Sequence, residues 1–294
     1  MTYALAIHGG VITLRDFDYA EQNAHLGELI VKGQEALEAG YTAINVVSMV
    51  VHRFESSGLY GAGKGSSANE DGVVEMDAAV MDGATRRAGA VAAVRQIANP
   101  VVAARAVMED GRQVMLAGDG ADSFARSQGI ETISDPAAFF IKKHEAAGTD
   151  RKSPETGHGT VGAVALDRHG NLAAATSTGG TPLKRWGRVG DSPFIGAGTW
   201  ADDLVAVSCS GAGEYFIRTC ASHTVSARMR YEKVGLETAA AATMEEITRL
   251  GGAGGMIAVD RWGNITMPHN CQGMRRAAVS SDIPPMVLFF DPEQ

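Results

Sequence analysis

The sequence predicts a single α/β domain in which β-sheets pack against one another and are covered by helices. Segments with strand and helix patterns alternate through both halves of the chain. A polar segment near the middle has strands and helices on both sides, which favours one layered core. The 294 residues show no change of composition that would divide them into independently folding domains, so residues 1–294 are predicted to form one unit.

The first half mixes both kinds of element. Residues 18–39 carry apolar side chains at helical spacing and stop at Gly40, as helices commonly do. Asn99-Pro100 begins a helix that extends to Glu109, because proline is favoured in a first turn. The other predicted elements are a strand over 3–8, a helix over 42–54, strands over 73–83, 89–94 and 114–118, and helices over 121–128 and 136–146.

Residues 147–157 form the polar segment, AGTDRKSPETG, whose composition predicts a flexible linker. The chain after it is rich in strands. Two D-R-x-G-N turns place Gly170 and Gly263 where a bulged hairpin favours a left-handed residue. The predicted elements of this half are strands over 160–167, 171–178 and 204–210, a hairpin within 256–269, and helices over 214–232 and 236–250.

Composition and charge exclude several classes of protein. The 26 Lys and Arg against 34 Asp and Glu argue against a nucleic-acid partner, because phosphate binding needs a basic face. No apolar run approaches the ~18 residues of a membrane span, and the N-terminus lacks a signal-peptide pattern. Three cysteines are too few for a disulfide framework, and eight histidines show no metal-ligand spacing. We therefore expect a cytoplasmic protein with no certain metal and no cofactor.

The 36 glycines are the unusual feature of the composition. Glycine permits close approach of the backbone, so clusters of it indicate either a site lined by main chain or loop-rich β structure. Composition alone does not choose between these interpretations. The clusters lie at 58–65, 157–162, 179–198, 211–213 and 251–255.

Three of these clusters contain candidate site residues. Thr160 begins a core strand after Gly159, and Thr178 ends the next strand; ordinary strand and turn roles would also explain both. Arg188 and Asp191 form either a solvated pair or a site for the carboxylate and ammonium of an amino acid. The strand-to-helix segment 208–214 is either a tight connection or a source of N–H and hydroxyl donors for an oxyanion.

From Thr160 onward the chain closely resembles the plant-type asparaginases and isoaspartyl peptidases, which are N-terminal nucleophile hydrolases. The matching strings are GTVGAVALD, GNLAAATSTGG, GRVGDSP, GAGTWADD, AVSCSGAGE and GGAGGMIAVD. A weaker similarity covers the first half, in AIHGG, MDAAVMDG, AGAVAAV and NPVVAARAVME. The resemblance implies a four-layer αββα sandwich and a hydrolase that cleaves β-aspartyl amide bonds in isoaspartyl dipeptides, L-asparagine or both.

The resemblance also implies self-cleavage between Gly159 and Thr160, which would give an α subunit of residues 1–159 and a β subunit of residues 160–294. A free α-amine titrates near ~7.7–8.0, so the new terminus of Thr160 could serve as the base for its own hydroxyl. Relatives pair as dimers of αβ units, and a homodimer is therefore expected.

Site roles follow from the resemblance residue by residue. Thr160 would be the nucleophile, and Thr178 would steady its amine and hydroxyl. The remaining roles are substrate carboxylate binding by Arg188, ammonium binding by Asp191 and the Gly213 carbonyl, and oxyanion stabilisation by the Gly211 N–H and the Ser210 hydroxyl.

The chain departs from the family pattern at several positions, among them Val11, which follows HGG in place of the usual Ala-Gly. Relatives usually have threonine at the positions of Ser210 and Ala212, and their glycine loop begins with Asn where this chain has Gly61. The segment 54–64 resembles a loop that binds sodium through backbone carbonyls.

The alternatives left open are a glycosylasparaginase or another amide hydrolase of a divergent subgroup, and an unprocessed amino-acid-binding protein without activity.

Overall fold

The computed structural model describes residues 2–12, 15, 18–140 and 159–291. The strands of the larger sheet are β1 (Ala4–Ile12), β2 (Met76–Asp82), β3 (Ala88–Val94), β4 (Met115–Ala117), β5 (Thr160–Leu166), β6 (Leu172–Thr178), β11 (Gly273–Ser280) and β12 (Met286–Leu288). The smaller sheet contains β7 (Thr199–Ala201), β8 (Val205–Gly211), β9 (Gly254–Asp260) and β10 (Ile265–Thr266). The helices are α1 (Ala20–Glu38), α2 (Ala43–Ser57), α3 (Pro100–Asp110), α4 (Gly118–Ser127), α5 (Pro136–Phe139), α6 (Gly213–Arg218), α7 (Ala221–Ala227) and α8 (Leu236–Arg249).

The two sheets stack in the middle of the molecule. The larger sheet has the order β12-β11-β1-β5-β6-β2-β3-β4, and the smaller has the order β10-β9-β8-β7. One apolar cluster joins α1–α4 to one face of the larger sheet. A second cluster joins the opposite face to the smaller sheet and to α7 and α8. These layers form the αββα sandwich that the resemblance implied.

Small side chains line the helix-facing side of the central strands of the larger sheet. Across β5 and β6, Ala163 faces Ala175 and Ala165 faces Ala173, and all four are fully buried. The D-R-x-G-N turns at both hairpins are confirmed, since Gly170 and Gly263 have φ values of 83° and 87°. The alanines of β5 and β6 belong to the cluster that the larger sheet forms with α1–α4, so these small side chains allow the helices to pack closely against the two strands.

The predicted helix over 214–232 is wrong as a single element. It is divided into α6, α7 and a π-helical turn over Arg228–Glu232. The break lies at Cys220, whose φ of 47° is left-handed and incompatible with a continuous α-helix. The predicted helix over 136–146 is described only for Pro136–Phe139, and the predicted linker over 147–157 lies outside the described residues.

Strands β7, β11 and β12 were not predicted. The inner strand β11 carries two consecutive arginines, Arg275 and Arg276, which hide its apolar pattern. Within the described parts of the chain, no helix is both long and apolar enough to cross a bilayer.

Candidate active site

The ends of two neighbouring strands bring the two predicted threonines together. β5 begins at Thr160 and β6 ends at Thr178, and the antiparallel register sets these residues opposite each other. The Thr160 hydroxyl donates to Thr178 Oγ1 over 3.2 Å, and both side chains are buried. The pair therefore follows from strand register, which sequence analysis did not supply.

The Thr178 hydroxyl also makes hydrogen bonds with two backbone groups, the N–H of Gly180 and the carbonyl of Gly159. It accepts a hydrogen bond from Gly180 N over 2.9 Å and donates to Gly159 O over 3.4 Å. The structure is that of the uncut chain, in which the nitrogen of Thr160 belongs to a peptide bond. Thr178 is thus positioned to orient both the hydroxyl of Thr160 and the peptide that precedes it.

A pocket opens directly over the two threonines. Besides these, its walls include the predicted residues Arg188, Asp191 and Gly211 as well as Gly159. Ser210 and Gly213 do not line it. Sequence analysis missed the remaining lining residues, which are Gly180, Thr181, Gly190 and Ser192.

Arg188 and Asp191 lie in the same wall without a direct hydrogen bond between them. Arg188 Nε donates to Glu214 Oε1 over 2.9 Å, which orients the guanidinium. Asp191 is 3% exposed, and its Oδ2 atom has no hydrogen-bond partner. Burial raises the pKa of Asp191 to about 7, an effect that the positive charge of Arg188 opposes. An incoming ammonium group would satisfy this carboxylate, because a buried anion without a partner is costly.

The end of β8 supplies the third part of the site. Ser208 and Ser210 share one face of β8, since side chains alternate along a strand. That face is directed towards β5, because the Ser208 hydroxyl occupies the space that a Cβ atom on Gly162 would need. The Ser210 hydroxyl is fully buried and has no hydrogen-bond partner, so it remains available as a donor.

Gly213 supports the site through Asp191. A Cβ atom on Gly213 would lie 2.8 Å from Asp191 Oδ1 and 2.9 Å from Asp191 N, closer than real Cβ atoms come to other heavy atoms. Glycine at this position therefore allows the N-terminal end of α6 to approach the carboxylate.

Two buried charges behind the threonines were also missed. Asp77 lies opposite Thr178 across β2 and β6, and burial raises its pKa to about 6. Lys184 donates from Nζ to Glu75 O over 2.8 Å, and burial lowers its pKa. In the sequence, Asp77 is marked only as a charged residue within an apolar strand, and Lys184 only as a charged residue within a glycine-rich segment. Such patterns are common, and only the folded structure shows that both residues lie near the site.

A chain of buried hydroxyl groups ties the loop of Asp191 to both sheets. His8 Nε2 and Ser208 Oγ are 2.9 Å apart, and Ser208 Oγ and Thr176 Oγ1 are 2.7 Å apart. Thr199 Oγ1 then lies 2.7 Å from Thr176 Oγ1 and 2.9 Å from Ser192 O, within hydrogen-bond distance of both. Burial lowers the pKa of His8 to about 3, so its ring is neutral and serves as a structural partner.

The loop containing the predicted sodium site is folded tightly on itself. Carbonyl oxygens of Glu55, Gly58 and Tyr60 lie close to the backbone of Gly63–Gly65. Such hard oxygen ligands suit a monovalent cation, and sodium binding stays a prediction. Among the described residues, no group of three or more His, Cys, Asp or Glu side chains could hold a metal ion.

Cys209 has the properties of a core thiol. It is fully buried in the cluster between the smaller sheet and its helices. Burial raises its pKa well above the ordinary range, which disfavours the reactive thiolate.

Comparison with known proteins now decides the family. A family model described as asparaginase matches residues 1–288. The chain belongs to the asparaginase family. It is 44% identical to the isoaspartyl peptidase of Salmonella typhimurium, over 93% of this chain and 94% of the relative. It is 43% identical to the isoaspartyl peptidase of Escherichia coli, over 93% and 91% of the two chains. The isoaspartyl peptidase/L-asparaginase of Xenopus laevis is 37% identical, over 96% and 94%.

Membership of the asparaginase family confirms the resemblance that the motifs indicated. The family model and the relatives extend across the first half, where the motif similarity was weaker. The roles of Thr160, Thr178, Arg188, Asp191 and Ser210 stay predictions, and the geometry above supplies the physical case for each.

Proposed function

We propose that this asparaginase-family protein is a self-cleaving threonine amidohydrolase acting on β-aspartyl amide bonds of isoaspartyl dipeptides, L-asparagine or both. The observation that carries the proposal is a single pocket that is lined by the buried threonine pair and by Arg188 and Asp191. The pair supplies a nucleophile with a hydroxyl partner. The two charged groups match the carboxylate and ammonium of an α-amino acid.

Self-cleavage would convert Thr160 into a competent nucleophile. Hydrolysis of the peptide bond between Gly159 and Thr160 would leave a carboxylate on Gly159 and an α-amine on Thr160, the residue that already carries the hydroxyl. In turnover, Thr160 Oγ attacks the β-carbonyl of the substrate and the amine accepts the hydroxyl proton. The C–N bond breaks, the leaving amine takes that proton, and a β-aspartyl ester remains on Thr160. Water then hydrolyses the ester and regenerates the hydroxyl.

Arg188 and Asp191 would determine the length of the accepted side chain. With the head group held by both, only one distance to Thr160 Oγ is productive. The extra methylene of glutamine would move its carbonyl away from this atom. Glutamine should therefore be a poor substrate compared with asparagine.

The charge that develops on the carbonyl oxygen needs donors at the end of β8. The backbone N–H of Gly211 and the hydroxyl of Ser210 are assigned this role, and the Gly213 carbonyl would assist Asp191 in ammonium binding. Serine lacks the methyl group that restricts the rotamer of threonine, so this donor is less preorganised than in relatives that carry threonine.

Location and assembly form part of the same proposal. Three cysteines are an odd number and too few for a disulfide framework, which suits a reducing cytoplasm. A homodimer of αβ units is proposed on the family resemblance. Size-exclusion chromatography with light scattering would test it, and a mass of one αβ unit would contradict it.

The decisive experiment combines N-terminal sequencing with a Thr160→Ala variant. Active material should contain a chain that begins TVGAV, and Thr160→Ala should abolish both cleavage and turnover. Wild-type activity in Thr160→Ala would refute the nucleophile assignment. Ser177, a buried hydroxyl one strand position before Thr178, provides the control, since Ser177→Ala should still cleave itself.

A substrate panel separates the remaining alternatives. Asparagine, isoaspartyl dipeptides, glutamine and a glycosylated asparagine are compared on the processed protein. Preference for the glycosylated compound would favour a glycosylasparaginase. A persistent full-length chain that binds aspartate without turnover would favour an amino-acid-binding protein.

A further inference from the structure

Gly61 and Gly159 make a reciprocal backbone contact beside the bond proposed for cleavage. A Cβ atom on Gly61 would lie 2.6 Å from Gly159 Cα and 3.0 Å from Gly159 O. A Cβ atom on Gly159 would lie 2.3 Å from Gly61 Cα and 2.6 Å from Gly61 N. Neither position has room for a side chain while the chain is uncut. Because Gly61 has no side chain, the backbone of Gly159 can pack directly against it.

The backbone of Gly61 is anchored independently of Gly159. Gly179 N donates to Gly61 O over 2.7 Å, which fastens the loop to the residue after Thr178. The neighbouring Tyr60 is 1% exposed and packs edge-on against Phe54 at a ring-centroid distance of 4.9 Å. The loop should therefore keep its position when Gly159 moves.

Gly159 lines the same pocket as Arg188, Asp191 and Gly211, the residues proposed to hold or face the head group and the oxyanion. A substrate held by its head group, with its carbonyl at Thr160 Oγ, must direct its leaving group away from Arg188 and Asp191. Cleavage severs Gly159 from Thr160 and frees it to leave the wall of this pocket.

We infer that the space vacated by Gly159 becomes the leaving-group subsite and that Gly61 is its specificity-determining residue. The inference rests on the proposed function and names the substrate class of that site. Because Gly61 has no side chain, the surface that it gives to this subsite consists of backbone atoms only. This leaves room for an amino-acid leaving group with a bulky side chain. Ammonia, the leaving group of asparagine, does not reach this surface. The subsite should therefore accept isoaspartyl dipeptides with a large second residue about as well as those with a small one.

The test is the ratio of kcat/KM for β-aspartyl-leucine to kcat/KM for L-asparagine. Both values are measured on one sample, so the ratio is independent of the fraction of processed chains. Gly61→Ala and Gly61→Asn should lower the ratio by about 10-fold or more, since a single methylene in a pocket can discriminate to that extent. An unchanged ratio in both variants would overturn the inference.

Gly65→Ala is the matched control within the same loop. A Cβ atom there would meet Tyr60 O at 2.0 Å, and its nearest neighbours are atoms of Gly58 and Tyr60, not of Gly159. This variant should keep the wild-type ratio even where its activity falls. An equal loss of the ratio in Gly65→Ala would assign the effect to loop distortion and overturn the subsite.

A second measurement covers variants that fail to mature. On the wild-type protein, kcat/KM for β-aspartyl-glycine, β-aspartyl-leucine and β-aspartyl-phenylalanine should agree within about 5-fold. A fall of about 50-fold or more from glycine to phenylalanine would refute an open subsite. Absence of hydrolysis of every β-aspartyl compound by processed wild-type protein would instead refute the proposed function, and the subsite with it.

Discussion

The unpartnered carboxylate of Asp191 predicts an activity that rises with pH around neutrality. Burial raises the pKa of Asp191 to about 7 in the free protein, from an ordinary value of 3.8. Only the ionised form can pair with the substrate ammonium. By simple titration, the ionised fraction rises from about one tenth at pH 6 to about nine tenths at pH 8. We therefore expect kcat/KM for L-asparagine to rise about 10-fold across this range from Asp191 alone.

The Thr160 amine titrates in a similar range, so the assay needs a substrate that isolates Asp191. Succinamic acid has the same carboxylate and terminal amide as asparagine but lacks the α-ammonium. The kcat/KM for succinamic acid should still depend on the titration of the Thr160 amine. It should no longer depend on the titration of Asp191, because this substrate has no ammonium group for Asp191 to bind. The ratio of asparagine to succinamic acid should then rise about 10-fold between pH 6 and pH 8. A ratio that stays flat would refute the pairing of Asp191 with the ammonium.

The same shift predicts the sign of a stability effect. The pKa of Asp191 is higher in the folded chain than its ordinary value, so the folded state binds this proton more tightly. Its contribution to stability is present below about pH 3.8 and is lost as pH rises through about 7. Asp191→Asn should therefore reduce the fall in the free energy of unfolding between about pH 3.8 and about pH 7. Denaturant unfolding at several pH values measures this fall.

Two further predictions concern the residues around the nucleophile. Arg188→Ala should lower kcat/KM by roughly 10- to 150-fold, because a charge-assisted hydrogen bond contributes about 1.5–3 kcal/mol. Self-cleavage of this variant, followed on a denaturing gel, should continue. An unchanged kcat/KM would show that Arg188 does not belong to the site. Thr178→Val should slow turnover and lower the free energy of unfolding by about 1–3 kcal/mol, because the buried N–H of Gly180 loses its acceptor. Thr178→Ser keeps the hydroxyl and should retain most of both properties, and equal losses in the two variants would contradict this role.

Local sequence patterns predicted most elements of the layered core. The apolar spacing in α1, the proline at the start of α3 and the repeated D-R-x-G-N turns each depend on short stretches of chain. The predicted helix over 214–232 failed because a left-handed residue at Cys220 leaves no recognisable pattern in the sequence. Strand β11 was missed because its arginines obscure the alternation of side chains.

The candidate site shows a similar division. Motif similarity indicated Thr160, Thr178, Arg188 and Asp191, and the structure places all four around one pocket. Lys184 could not be predicted, because a lysine in a glycine-rich loop is usually exposed and here only tertiary packing buries it.

Motif similarity was sufficient to identify the family, and local spacing was sufficient to predict most of the helices and strands, because both depend on short stretches of chain. Tertiary structure decided which residues meet at the site. The register of β5 against β6 pairs the two hydroxyl groups, burial perturbs the pKa of Asp191, and a loop more than 90 residues away in the chain brings Gly61 against Gly159. Hydrogen-bond register, desolvation and steric contact all depend on distances in space, and a linear sequence does not specify those until the chain has folded.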